Sequence, residues 1–300
     1  MPVTINENIA AGVEITILAD NIAEPPLTGE HGFSAVLAIR KADDSVLHVL
    51  FDTGRGVLFH NAPLVGVDLS KLDALVLSHG HYDHTDALPE FVKHYPHVRI
   101  HASTGIFRDH YSKSTGESRF IGFSAESRVA ILAPDSCYVP FTGKTAFGGG
   151  LVSIADNIPR SHPLELTSPL LFDDKACTIP DTVPDELVLW IDTVDGLVIV
   201  TGCCHAGFIN TVEFVRSQTK NRPIALVCGG LHLAKVSTQR IEATARYIVD
   251  TKIARVAAFH CTGVEETRQL VKLTGGIVEA GQCGTRLQTG RKTNKTESSI

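Results

Sequence analysis

The sequence predicts an α/β protein in which two β-sheets pack face to face, with helices on the outer faces. Three observations carry this. Short β-rich runs fall into two groups, one before about residue 104 and one after about residue 185. Helix-like stretches follow strands in both groups. With 300 residues and 43% hydrophobic content, the chain can bury the layers such an arrangement needs.

The elements follow in order. "VEITILAD" (13–20), "FSAVLAIR" (33–40) and "VLHVLFDTG" (46–54) alternate and are β-branched, so they read as strands. "LDALVLSHG" (72–80) is a continuous apolar run closed by polar residues, as expected of a strand buried on both faces. "TDALPEFVKHYP" (85–96) has helical spacing at Leu88, Phe91 and Val92 and ends before Pro96; "HVRIHAS" returns to a strand. The middle, about 104–185, is less periodic, with polar and Gly-rich stretches of the kind used in lids and binding loops. Strands over 187–192, 196–202, 223–230 and 255–260 then alternate with helices over 209–219, 238–251 and 265–274. One domain is expected over residues 1–287. The polar tail "QTGRKTNKTESSI", from 288 to 300, is expected to be disordered.

Bulk properties exclude several classes. The net charge of −6 gives no basic footprint for nucleic acid or an anionic membrane. The N-terminus lacks the basic and long apolar regions of a secretory signal. No apolar run reaches the ~18 residues of a spanning helix. Seven cysteines, odd in number and without a CxxC, fit a reduced compartment. The expected setting is cytoplasmic.

The chemistry concentrates in "LVLSHGHYDHTDAL" (75–88). His79, His81, Asp83 and His84 form H-x-H-x-D-H at the end of a buried strand. Residues two apart in an extended segment point the same way, so His79 and His81 can share one metal ion. Asp83 and His84 lie where the chain turns and can face a second. Imidazole and carboxylate donors suit zinc, with manganese and iron also compatible. The competing reading is a histidine-rich surface turn. One cluster cannot complete two coordination spheres. Three further histidines close apolar runs: His205 in "TGCCHAG", His232 in "GGLHL" and His260 in "FHCTG". Strand ends of this kind present site residues in β/α folds.

These motifs, with "FDTG" (51–54), "EHGFS" (30–34), "NIPR" (157–160) and "TGCCHAGFINTVEF" (201–214), resemble the metallo-β-lactamase fold superfamily. Within it the chain resembles the branch named for 7,8-dihydropterin-6-methyl-4-(β-D-ribofuranosyl)-aminobenzene 5'-phosphate synthase. The resemblance implies a four-layer αββα sandwich with metals at one edge between the sheets. It implies His79 and His81 on one ion, and Asp83 and His84 on the other. Much of the superfamily has a bridging aspartate where this chain has Cys203. The resemblance then makes His205 the replacement ligand and His260 the distal one, with His232 as competitor for that place. Asp86-Ala87 and Cys204 depart from the branch, which usually has Gly-Gly and often Ser there. Cys204 reads as a small packed side chain. Asp52 reads either as an acceptor that fixes the tautomers of the histidine loop or as a turn former.

Function follows as an expectation. Bound zinc lowers the pKa of water toward ~7 and supplies hydroxide. A metal-dependent hydrolase would turn this on an ester, lactone or phosphodiester. Asp83 would orient the water or relay its proton, and His232 would donate to the leaving group. The second reading is a synthase-like transferase joining a dihydropterin to an aminobenzene ribose phosphate. Arg160 and Lys144 are its phosphate-binding candidates, set against the plainer reading of solvated loop charges. The third is a ligand-binding or regulatory protein on the same scaffold. In each case the partner is a small molecule, phosphorylated in the second reading.

Overall fold

A computed structural model describes residues 8–166 and 168–290. The first third contains β1 (Gly12–Ala19), β2 (Ser34–Arg40), β3 (Val46–Phe51), α1 (Val57–Leu64), β4 (Ala74–Leu77), α2 (Tyr82–Thr85), α3 (Leu88–His94) and β5 (Arg99–Ser103). The middle adds β6 (Tyr111–Ser112), β7 (Arg119–Phe120), α4 (Ala125–Ile131), β8 (Tyr138–Phe141), β9 (Lys144–Phe147), β10 (Val152–Ala155) and β11 (Leu171–Phe172). The last third runs β12 (Val188–Thr193), β13 (Gly196–Thr201), α5 (Phe208–Gln218), β14 (Ile224–Gly230), α6 (Thr238–Asp250), β15 (Val256–Phe259), α7 (Val264–Leu273), β16 (Val278–Ala280) and β17 (Arg286–Gly290).

Two seven-stranded sheets result. One has the order β17-β1-β2-β3-β4-β5-β8, the other β16-β15-β14-β13-β12-β10-β9, and a small third sheet is β11-β6-β7. Side-chain alternation creates the layers. In β13, Val198 and Val200 join the core between the sheets, while Leu197 and Ile199 face α5, α6 and α7. In β4, Val76 points inward; Leu75 and Leu77 pack outward with Leu58 of α1 and Leu88 and Phe91 of α3. The αββα sandwich expected from the sequence is therefore the observed one.

Two features differ from expectation. Gln288, Thr289 and Gly290, placed in the tail from sequence, pair with Glu14, Val13 and Gly12 on the open edge of β1. Leu287 in the same strand is buried in the inter-sheet core, which is what draws this polar segment into the sheet. The rest of the expected tail lies outside the described residues. The aperiodic middle contributes β8 to one sheet and β9 and β10 to the other.

The topology fixes the site. β3, β4 and β5 run parallel to one another, as do β13, β14 and β15. Their C-terminal ends present Asp52, His79, Cys203, His205, His232 and His260 along one edge. No described helix is long and apolar enough to cross a membrane.

Candidate metal centre

Asp52, fully buried just after β3, organises the first side of the site. Its Oδ1 accepts the Ser78 backbone N–H at 2.7 Å. Its Oδ2 accepts the Ser78 hydroxyl at 2.7 Å and faces His84 Nδ1 at 2.7 Å. Since the Ser78 hydroxyl donates to Asp52, it accepts from His79 Nδ1 at 2.8 Å. Both histidines thus carry hydrogen on Nδ1 and turn a lone pair at Nε2 toward the site. The tautomer-fixing reading of Asp52 matches this geometry. Asp52 adopts a φ of 58°, so its carboxylate doubles back over the loop instead of continuing the strand.

The structure brings the predicted residues together in two groups. Donor atoms of His79, His81 and His205 lie within 4.8 Å of one another. The three Nε2 atoms are buried without a hydrogen-bond partner among the described residues. Buried polar atoms are normally paired, so three convergent orphans fit a metal ion. In the second group, Asp83 Oδ2 lies 3.9 Å from His84 Nε2 and 3.3 Å from His260 Nε2. His260 is held by the Asp20 carboxylate, which accepts its backbone N–H at 2.7 Å. His232 stands instead beside His205, with ring centroids 4.3 Å apart, and groups with Cys203 and His205. Of the two rivals, His260 is the one that meets Asp83.

Electrostatics match the neutral ligand form at His79, His81 and His205. Burial, reinforced by neighbouring imidazoles, pushes His79 and His205 well down; His81 is pushed down to about 3. These imidazoles stay neutral, as metal ligands must. Burial opposes charge on Asp83 too, but His84 and His260 outweigh it and hold the carboxyl low. His260 goes the other way: burial is outweighed by Asp83 and Cys261, and the group rises to about 9, so this imidazole must give up a proton before it can bind a metal ion.

Cys203 and Cys204 diverge. Cys203 Sγ lies 3.2 Å from His84 Nε2, inside the site. Cys204 is packed in the apolar layer under α5 and donates to Thr211 Oγ1 at 3.4 Å, as a small packed side chain should. Two glutamates from outside it hold the loop between β13 and α5. Glu186 accepts the N–H groups of His205 and Ala206 at 2.5 and 2.7 Å. Glu165 accepts those of Ile209 and Asn210, both at 2.8 Å.

Several site residues escape sequence reasoning. His31 is exposed at the mouth, with Nε2 3.2 Å from Asp83 Oδ2. Its signal was its place in "EHGFS". His110 is buried between Asp181, at 2.6 Å, and Asp185, at 3.4 Å. Asp185 in turn accepts the Gly80 N–H at 2.8 Å, which braces the histidine loop. Burial opposes charge on His110, but these two carboxylates outweigh it and push it up to about 10. Cys261 donates to the Cys203 carbonyl at 3.3 Å. No local pattern marks these pairings.

Two phosphate candidates are placed otherwise. Arg160 donates to the carbonyls of His205 and Thr182, so it clamps loops. Lys144 lies over the Trp190 ring, 5.2 Å from its centroid, on the helix-covered face of the second sheet. Asp86 and Ala87 fall in the break between α2 and α3.

Comparison with known proteins agrees with this geometry. The family model "Metallo-beta-lactamase superfamily" matches residues 32–202. An uncharacterized protein of Methanocaldococcus jannaschii is 28% identical over 88% of this chain and 96% of its own length. The 7,8-dihydropterin-6-methyl-4-(beta-D-ribofuranosyl)-aminobenzene-5'-phosphate synthase of the same organism is 25% identical over 84% of this chain and 88% of its own. Among solved structures, Tm1679, a metal-dependent hydrolase of the beta-lactamase superfamily, aligns with a TM-score of 0.76 and 26% identity. That alignment covers 93% of this chain and 100% of the other. With its αββα layers, its histidine loop after β4 and a family match over more than half its length, this chain belongs to the metallo-β-lactamase superfamily.

Proposed function

We propose that the protein is a metal-dependent hydrolase acting on a small ester, lactone or phosphodiester. The observation that carries this is the convergence of three buried, unpartnered Nε2 atoms, from His79, His81 and His205. In this reading they hold one ion, and Asp83, His84 and His260 hold a second. Zinc suits the imidazole-rich set, and manganese and iron are compatible with it. An ion bound there supplies Lewis acidity and activates water near neutral pH.

The chain's own residues do the rest. Asp52 and Ser78 keep His79 and His84 in the ligating tautomer. Asp83, its Oδ2 shared by contacts with His31, His84 and His260, orients the attacking water or relays its proton. His31 opens that path to solvent. His232, half-buried beside His205, protonates the leaving group.

The similarity to a metal-dependent hydrolase supports this reading. The similarity to the synthase supports a transferase as the second reading. Against it, Arg160 is already committed to two carbonyls. The test is elemental analysis of the purified protein together with an ester, lactone and phosphodiester panel. Bound zinc or manganese with turnover is expected. His81→Ala should lower both metal content and turnover by tenfold or more. Unchanged turnover in that variant would sink the metal-centred account. Turnover only when two co-substrates are supplied would favour transfer, and iron with oxygen consumption would indicate an oxidase.

A further inference from the structure

We propose that Cys203 supplies a thiolate shared by both metal positions, so that sulfur stands at the middle of the centre. This deepens the metal-enzyme reading above and rests on it. Cys203 is 4% exposed, and its Sγ lies 3.2 Å from His84 Nε2. The same sulfur is within 4.8 Å of donor atoms of His79 and His84, of His205 and His232, and of His260 and Cys261. It therefore reaches the His79–His205 side and the His84–His260 side alike. The Nε2 atoms of His79 and His205 are buried and unpartnered, and they converge on the same space.

The backbone is shaped for this placement. A Cβ on Gly202 would meet Ser78 Oγ at 2.1 Å and Asp52 Oδ2 at 3.1 Å. A Cβ on Gly230 would meet the Gly202 carbonyl oxygen at 2.5 Å and Cys203 Cα at 3.2 Å. Two glycines thus let the end of β13 close onto the Asp52 network from one side and onto β14 from the other. Neither neighbouring thiol has the same position. Cys204, at φ 62°, turns away and donates to Thr211. Cys261 donates to the Cys203 carbonyl.

On binding, the Cys203 S–H bond breaks, sulfur bonds the metal, and one proton leaves to solvent. With Asp83, the thiolate offsets two of the four positive charges that two divalent ions bring. A sulfur donor favours zinc, cobalt and cadmium over magnesium and manganese.

The test uses the full chain, stripped of metal and reloaded with cobalt(II). The wild type should bind two ions and show a sulfur-to-cobalt charge-transfer band in the near ultraviolet. Cys204→Ser and Cys261→Ser should keep the band; Cys203→Ser should lose it, with at least tenfold weaker cobalt binding. Cys203→Asp should keep two ions without the band, which separates loss of sulfur from loss of the fold. X-ray absorption of the wild type loaded with two zinc ions should give about one sulfur neighbour per zinc at about 2.3 Å, where an unshared thiolate gives half as many, and Cys261→Ser should leave that signal unchanged. Two bound ions without a sulfur signature would overturn this inference alone. So would a band that survives Cys203→Ser or disappears in Cys261→Ser. Failure to bind zinc or cobalt at all would overturn the hydrolase reading as well.

Discussion

At the scale of single residues, Asp52 shows how a side chain that touches no substrate can govern a site. It takes hydrogen bonds from the Ser78 amide, the Ser78 hydroxyl and His84. Asp52→Ala should weaken metal binding about 10- to 100-fold, measured by chelator competition. Equal affinity in the two proteins would remove its orienting role. His101 gives a pH prediction away from the metal loop. It is buried and stacked on Phe147, with centroids 4.2 Å apart, and burial pushes it down to about 4. A depressed histidine contributes stability above the ordinary value of 6.5, and that stability is lost as pH falls through about 4. Thermal melts should therefore decline between those values, and His101→Phe should flatten the decline. An identical pH profile in the variant would argue against the assignment. The histidine quartet was legible in the sequence because its spacing is local. The brace behind it was not, since Asp185 and Gly80 are separated by 105 positions and His110 and Asp181 by 71.

At the scale of elements, legibility follows the strength of alternation. β1 to β5 and β12 to β15 bury whole faces, so their apolar patterns are dense. β6, β7 and β11 are two residues each and carry no readable period. α1 was missed although Leu58 and Ala62 pack in the outer layer. It contains Pro63 and a buried Asn61, whose side chain donates to the Leu18 and Thr28 carbonyls, so its pattern is not that of an ordinary amphipathic helix. α3 matters most for the site, because it follows the histidine loop and anchors it through Leu88 and Phe91. Phe91 is fully buried, and Phe91→Ala should cost about 3–5 kcal/mol, read from denaturant unfolding. A loss under about 1 kcal/mol would mean that the layer collapses around the gap, and that α3 anchors the loop less than its burial implies.

At the scale of the whole molecule, the two ends of the described chain are joined. β17 covers the edge of β1 and sends Leu287 into the core between the sheets. Truncation after Thr285 should lower the melting temperature and cause concentration-dependent association on size exclusion, since it bares a strand edge. A truncated protein that stays monodisperse with an unchanged melt would show that this closure is dispensable. The layers themselves were readable from the order of strands and helices. This closure was not, because its polar residues gain their place only from a partner more than 270 positions away. The turn from β13 into α5 has a wider consequence. Four of its backbone donors, those of His205, Ala206, Ile209 and Asn210, are already taken by Glu186 and Glu165. A helix start beside a reaction centre is ordinarily a ready cradle for phosphate. Here the protein has placed its own carboxylates in that cradle. An anionic substrate would have to displace these carboxylates to use those four amides, so its affinity should rise and fall with metal occupancy, as one titration and not two.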